Sequence, residues 1–383
     1  MQREAVIVAA VRSPIGKRNG ALSGMHPVDL GADVLTELAQ RVDLDPVTID
    51  DVVWGCVTTV GEQSSNVGRQ SVLAAGWPDS IPAVTIDRAC GSSQQALAFA
   101  AAGVIAGQYD IAVAGGVESM SRVPMGSTRD RGPGQARGDR VAQRYPGASF
   151  SQGEASDMIA ARWHLERSAI DEYALRSHNL AARAQDVGDF ADEIVPISTG
   201  GQSVVADEGV RRSSSMEALA KLTPVFSDGG VTTAGNSSQI SDAAAALLVT
   251  TGEIAARKGW KPLARVHSSA VTAVDPVLML TGPISATYAV LRRAGLSLGE
   301  IDTFEVNEAF ASVVLAWQAE TGADLDRVNP SGGAVALGHP LGCSGARLAV
   351  SLVHRMQREG HRYGLQAICE AGGMANAMVL ERL

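Results

Sequence analysis

The chain has 383 residues, 45% of them hydrophobic and 19% charged, with 41 glycines and a formal net charge of −9. Its length supports two or three domains with a large buried core and many tight turns, which excludes a disordered or fibrous chain. The acidic balance argues against a nucleic-acid partner, which needs a basic face, and no stretch reaches the ~20 apolar residues of a membrane span.

The first element, "AVIVAAV" (5–11), is too short for a signal-peptide core and reads as a buried strand ahead of Arg12, Ser13 and Pro14. The terminal "ERL" carries no peroxisomal tripeptide, and four cysteines without a secretion signal predict free thiols in a cytoplasmic protein. "TIDDVVWGCV" (48–57) predicts a strand, and its pattern returns as "EIDTFEVNEA" (300–309), with Asp302 in the place of Asp50. Next, "AVTI" gives way to Cys90 and an Ala-rich helical run. Cys343 repeats that arrangement in "GGAVALGHPLGCSGAR". An apolar run and a Gly-Gly pair follow each cysteine, Gly115-Gly116 and Gly372-Gly373, predicting a glycine turn in both halves and aligning Cys369 with Ala112. The strand and helix signals alternate, so each half predicts a mixed, largely parallel sheet in an α/β fold. In the first half, however, the closing strand "AAAALLVTT" (243–251) arrives only after some 120 residues. Residues 119–241 therefore read as an insertion. The expected units are 1–118 with 242–264, the insert 119–241, and 265–383.

Four segments carry candidate chemistry. Cys90 stands where a strand meets a helix, and unpaired N–H groups at a helix start favour thiolate. His339, held in "GHP", has the chemistry of a general base. Cys369 ends a strand before the Gly-rich turn, and Asn307 with Glu308 ends another in "FEVNEAF". Each also has a plain explanation: a small core thiol, a loop imidazole bonded to backbone, or a helix cap.

Together with "TAGNSS" followed by Asp242, and "GGVESMS", these segments resemble the thiolases, or acetyl-CoA acyltransferases, over essentially the whole chain. The resemblance implies two duplicated α/β halves with mixed five-stranded sheets and a loop domain inserted in the first. It implies thiolysis of a 3-ketoacyl-CoA to acetyl-CoA and a shortened acyl-CoA, with coenzyme A as substrate, no permanent cofactor, no metal and a homodimer or homotetramer. By the same resemblance Cys90 is the nucleophile, His339 activates it, and Cys369 moves the proton at the α-carbon. Asn307 anchors a water in an oxyanion site that His339 lines, and the backbone N–H groups of Cys90 and Ala371 form the other oxyanion hole. Arg211 and Ser238 fall on CoA-contacting positions.

The chain departs from the family pattern at several places. Ala371 takes the glycine place of the Cys-x-Gly at the second thiol, where a methyl threatens to alter the turn. Gln239 and Ala243 replace common glycines. Ser151-Gln152 stands where acetoacetyl-specific members tend to carry His-Met, which implies an acyl group larger than acetyl. Cys343 and Cys56 read as structural. The alternatives are a decarboxylating condensing enzyme, an acetoacetyl-CoA thiolase, a non-catalytic CoA-ester binder, and a zinc scaffold on Cys90, His339, Cys343 and Cys369.

Overall fold

The computed structural model describes residues 3–130 and 133–383. Arg131 and Gly132, in the Gly/Arg/Pro-rich run that opens the expected insertion, and the first two residues lie outside the described residues. The first half contributes β1 (Ala5–Arg12), the short β2 (Gly16–Lys17), α1 (Pro27–Gln40), β3 (Asp51–Gly55), α2 (Val67–Ala74), β4 (Ala83–Ile86), α3 (Ser92–Ala106) and β5 (Ile111–Ser119). Between β5 and the return strand come α4 (Ser127–Asp130), α5 (Asp139–Arg144), α6 (Gln152–Arg162), α7 (Arg167–Val187), β6 (Ile197–Thr199), β7 (Gln202–Val204) and α8 (Met216–Ala220). Strand β8 (Ser241–Thr251) and α9 (Gly252–Lys258) lead to β9 (Ala264–Ala273), α10 (Gly282–Ala294), β10 (Thr303–Val306), α11 (Ala311–Thr321), α12 (Ser344–Glu359), β11 (Tyr363–Glu370) and β12 (Met374–Arg382).

Ten strands form one mixed sheet in the order β10-β11-β12-β9-β1-β8-β5-β3-β4, with β2 alongside β8. Each half repeats one strand order, β1-β8-β5-β3-β4 and β9-β12-β11-β10. In the second half the fifth strand is reduced to a parallel bridge between Phe304 and Val328. The halves meet through two residue pairs, Val6 with Arg265 and Ile7 with Ala264. Helices α3 and α12 pack against each other between the halves. The central stretch of strand β8, residues 243–249, is apolar throughout. Ala243, Ala245, Leu247 and Val249 face the cluster shared with α3 and α12, while Ala244, Ala246 and Leu248 face α1. Side chains alternate between faces and both faces are covered, so no polar position is needed.

The duplication shows in a shared capping role. Asp50 accepts from the N–H groups of Asp110 and Ile111 at 2.6 and 3.0 Å. Asp302 does the same for Arg362 and Tyr363 at 2.8 and 2.9 Å. That register corrects the glycine-turn reading. Gly115 and Gly116 lie inside β5, where a Cβ on either would collide with the Ala245 or Gly342 carbonyl. Only Gly372 and Gly373 make the turn, both at positive φ. Cys369 therefore corresponds to Val117 and not to Ala112.

Candidate active site

Cys90 sits in the turn between β4 and α3. Its neighbour Ala89 holds a left-handed φ of 46°, a conformation that costs a residue with a Cβ about 1 kcal/mol and persists because the surroundings impose it. The thiol packs with Met120, Leu341, Leu348 and Ile368, which brings the "GHP" loop and the end of β11 around it. Burial, reinforced by Glu370, pushes the thiol up to about 12. The thiolate predicted from the helix start is therefore not the resting form: desolvation outweighs the helix dipole, and the thiol needs a base.

The candidate base, His339, stands on the glycine-rich loop. Gly338 has a φ of 118°, and a Cβ there would collide with Ser241 Oγ, so only glycine carries the chain into His339. The buried Glu118 of β5 accepts from the N–H groups of Val57, Thr58 and Gly342 at 2.9, 3.0 and 2.9 Å, tying this loop to the first half. Gln239, one of the departures, accepts from the His339 N–H at 3.0 Å. Its side chain donates to the Val335 and Ala336 carbonyls at 2.8 and 3.0 Å. Ser344 donates to the Pro340 carbonyl at 2.8 Å, so its oxygen must accept from His339 Nδ1–H at 2.6 Å. Nε2 then carries the lone pair, 3.4 Å from Asn307 Nδ2. Asn307 Oδ1 is buried without a partner, free to accept from water or substrate.

Burial, with Arg347 adding to it, pushes His339 down to about 3. The imidazole stays neutral in the native protein while the unfolded chain takes up a proton below pH ~6.5. Stability is thus complete above that value and is lost as pH falls toward 3. Between pH 7.5 and 5.0 His339 should account for a loss of about 2 kcal/mol. Urea unfolding of His339→Gln should show that much less pH dependence than the parent, and an unchanged dependence would contradict it.

Cys369 ends β11 fully buried against Phe310, Met279 and Leu280. Burial, then the neighbouring Cys90, raises it well above a free thiol, so it keeps its proton. Cys90 and Cys369, from opposite halves of the duplication, thus lie near enough to influence each other's ionisation, and the His339 loop packs on Cys90 through Leu341.

Comparison with known proteins agrees with this geometry. The thiolase N-terminal domain matches residues 5–253, and the thiolase C-terminal domain matches 260–382. The chain belongs to the thiolase family. It is 46% identical to the steroid 3-ketoacyl-CoA thiolase FadA6 of Mycobacterium tuberculosis, over 99% of this chain and 94% of that one. It is 43% identical to a beta-ketoadipyl-CoA thiolase of Escherichia coli over the full length of both. The crystal structure of the Bacillus anthracis acetyl-CoA acetyltransferase superposes with a TM-score of 0.91 at 39% identity, covering 100% of this chain and 99% of that one.

The remaining predicted positions of this thiolase fall into two groups. Ser238 lies beside the site, its N–H bonded to the Ala309 carbonyl at 3.0 Å. Arg211 is exposed on the segment between β5 and β8, and its backbone N–H donates to His178 Nδ1 at 3.1 Å. Ala371 is exposed in the β11–β12 turn and is absent from the positive-φ positions, so its methyl costs the backbone nothing. The turn's left-handed demands fall on Gly372 and Gly373. Cys343 and Cys56 are buried in separate core clusters as free thiols. Among the described residues no three metal-ligating side chains gather around a common point, which leaves the zinc alternative without a ligand set.

Two residues named along the sequence acquire supporting contacts that the sequence did not reveal. The Gln152 side chain hydrogen-bonds Cys90, although the sequence marked it only as a departure. Glu308 is fully buried and accepts from Tyr173, Ser177, Asn329 and the Val335 N–H at 2.9, 2.7, 3.0 and 3.0 Å. It fastens the chain beyond Asn307 to the start of the His339 loop.

Proposed function

We propose that this thiolase cleaves a 3-ketoacyl-CoA by transfer of the acyl group to Cys90 and then to coenzyme A. The observation that supports this reading is a neutral His339 with an unprotonated Nε2, on a loop that packs against Cys90 through Leu341, together with two buried thiols close enough to influence each other. In the first half-reaction Nε2 takes the Cys90 proton and Sγ bonds to the 3-keto carbon. The C2–C3 bond breaks, its electron pair goes to the acetyl-CoA enolate, and Cys369 supplies the proton at C2. In the second, Cys369 takes the proton of CoA–SH, the CoA sulfur attacks the acyl thioester, and His339 returns its proton to Cys90. Asn307, with a water, and His339 serve one oxyanion site, and the Cys90 and Ala371 N–H groups serve the other.

The substrate is read as an acyl group larger than acetyl, used degradatively as in β-oxidation. The carboxamide of Gln152 at Cys90 supports a remodelled acyl pocket, and similar proteins are named for steroid and beta-ketoadipyl substrates. CoA enters as substrate and leaves as product, with no resident cofactor. We read residues 119–241 as a unit inserted in the first half, 1–118 with 242–264, ahead of the second half, 265–383, presenting Arg211 to the CoA phosphates and Ser238 to the pantetheine arm. Four buried free thiols fit a reducing cytoplasm. Among the described residues no helix is long and apolar enough to cross a membrane.

A homodimer or homotetramer is the expected assembly. Strand β4 is an unpaired sheet edge, and the helix beside it, α3, exposes Phe99 and Ile105. Val53, Val84, Phe99, Ala102 and Tyr109 line a 360 Å³ groove there, the kind of apolar edge that a second copy covers. Sedimentation equilibrium should return a multiple of the chain mass, and a monomer at micromolar concentration would refute it.

Incubation with CoA and a panel of short, long, branched, dicarboxylic and ring-bearing 3-ketoacyl-CoA esters, following acetyl-CoA release, tests the activity. The expected result is turnover that favours acyl groups larger than acetyl. No turnover on any ester would leave a CoA-ester binder, and a preference for acetoacetyl-CoA would overturn the substrate reading.

A further inference from the structure

The residue after Cys369 is a fully buried carboxylate, Glu370. Its Oε1 accepts from Asn376 Nδ2 of β12 at 2.8 Å, while Oε2 has no partner at all. The group lies against Gly91: a Cβ at that position would overlap Oε1, so glycine is what admits the carboxylate beside Cys90. A buried carboxyl group with one orphaned oxygen is costly, and a single bond to Asn376 leaves that cost largely uncompensated. We propose that Glu370 is a positioning residue for acyl transfer, setting from beside Cys90 the pH range over which that thiol becomes a nucleophile.

The neighbouring charges define the sign. Arg88 and Asp87 face Glu370 from the turn before α3, Asn376 faces it from β12, and Cys369 adjoins it on β11. Cys90 is influenced by Glu370, by Glu118 of β5 and by the hydrogen bond from Gln152 of α6. Burial pushes Glu370 up to about 8, against the pull of Arg88 and Asn376. The carboxyl group therefore loses its proton before the thiol does, and Cys90 must then ionise next to a negative charge. Two like charges at such range raise the second ionisation. Acylation relieves the conflict, because a thioester carries no charge. Glu370 thus disfavours the free thiolate relative to the acyl-enzyme.

This inference rests on Cys90 as the nucleophile, but its test needs no turnover. Carbamidomethylation of Cys90 by iodoacetamide is followed from pH 6 to 11 by mass spectrometry of the Cys90 peptide. In Glu370→Gln the profile should move to lower pH by about one unit or more, roughly tenfold faster labelling at a fixed pH above about 8, where the parent Glu370 is charged, and below the thiol midpoint. Glu370→Met, apolar and of similar length, should move it the same way, so either variant that folds carries the test. Glu370→Asp keeps the charge and should stay with the parent. Profiles of the charge-free variants superimposed on the parent would overturn the proposal, as would a shift to higher pH. A purely structural role would change the melting temperature of these variants and leave the profile in place.

Discussion

Replacing Cys90 by alanine is expected to lower thiolysis by at least about 10⁴-fold, because the acyl group then has no protein atom to which it can bond. The parent protein mixed with an acyl-CoA should gain the mass of one acyl group on the Cys90 peptide, and the variant should gain none. Stability should change little. Sγ is buried among Met120, Leu341, Leu348 and Ile368, and its loss removes one atom from that cluster, a cost on the order of 1 kcal/mol. The variant therefore separates chemistry from folding. Thiolysis within tenfold of the parent would mean that another group takes the acyl chain, and the reading of the site would fail.

The second large effect concerns Cys369. Its replacement by alanine should leave the acylation of Cys90 by a simple acyl-CoA detectable while C–C cleavage of a 3-ketoacyl-CoA falls at least about 10³-fold. The asymmetry follows from the two reactions. Thioester exchange onto Cys90 needs a base for one thiol, which His339 provides. Cleavage also needs a proton at carbon, and Cys369 retains one because burial and Cys90 hold it as a thiol. Exchange of the acetyl-CoA methyl protons with deuterated solvent, a reaction at that same carbon, should be lost with it. If Cys369→Ala lost labelling as completely as Cys90→Ala, the two thiols would act as one unit and the division of roles would be refuted.

Much of this site is legible along the chain. The repeat of Asp50 in Asp302 and of Cys90 in Cys343 announces the duplicated scaffold, since the same hydrogen bonds recur at the same separation. The "GHP" run predicts an immobilised imidazole, and the fold adds why it is immobile: Gly338 turns the backbone, Ser344 fixes the tautomer, and Gln239 holds the loop. The glycine pair at 115–116 is harder to read, because glycine signals both a turn and a close approach. Here the demand comes from the Ala245 and Gly342 carbonyls on neighbouring segments. The protonation of Cys90 is misjudged for a related reason. A helix start is a local feature, whereas the desolvation that outweighs it comes from residues scattered through both halves.

Residue types, spacing and periodicity depend on local chemistry, and they are enough to suggest a duplicated α/β chain and to single out Cys90, Cys369, His339 and Asn307 as candidates, whose roles the family resemblance then implies. Electric fields and solvent exclusion are sums over everything nearby, and those neighbours come from β4, β5, α6, β11 and β12. The neutral Nε2 of His339, the protonated state of both thiols and the carboxylate of Glu370 against Gly91 exist only once these elements close around one another.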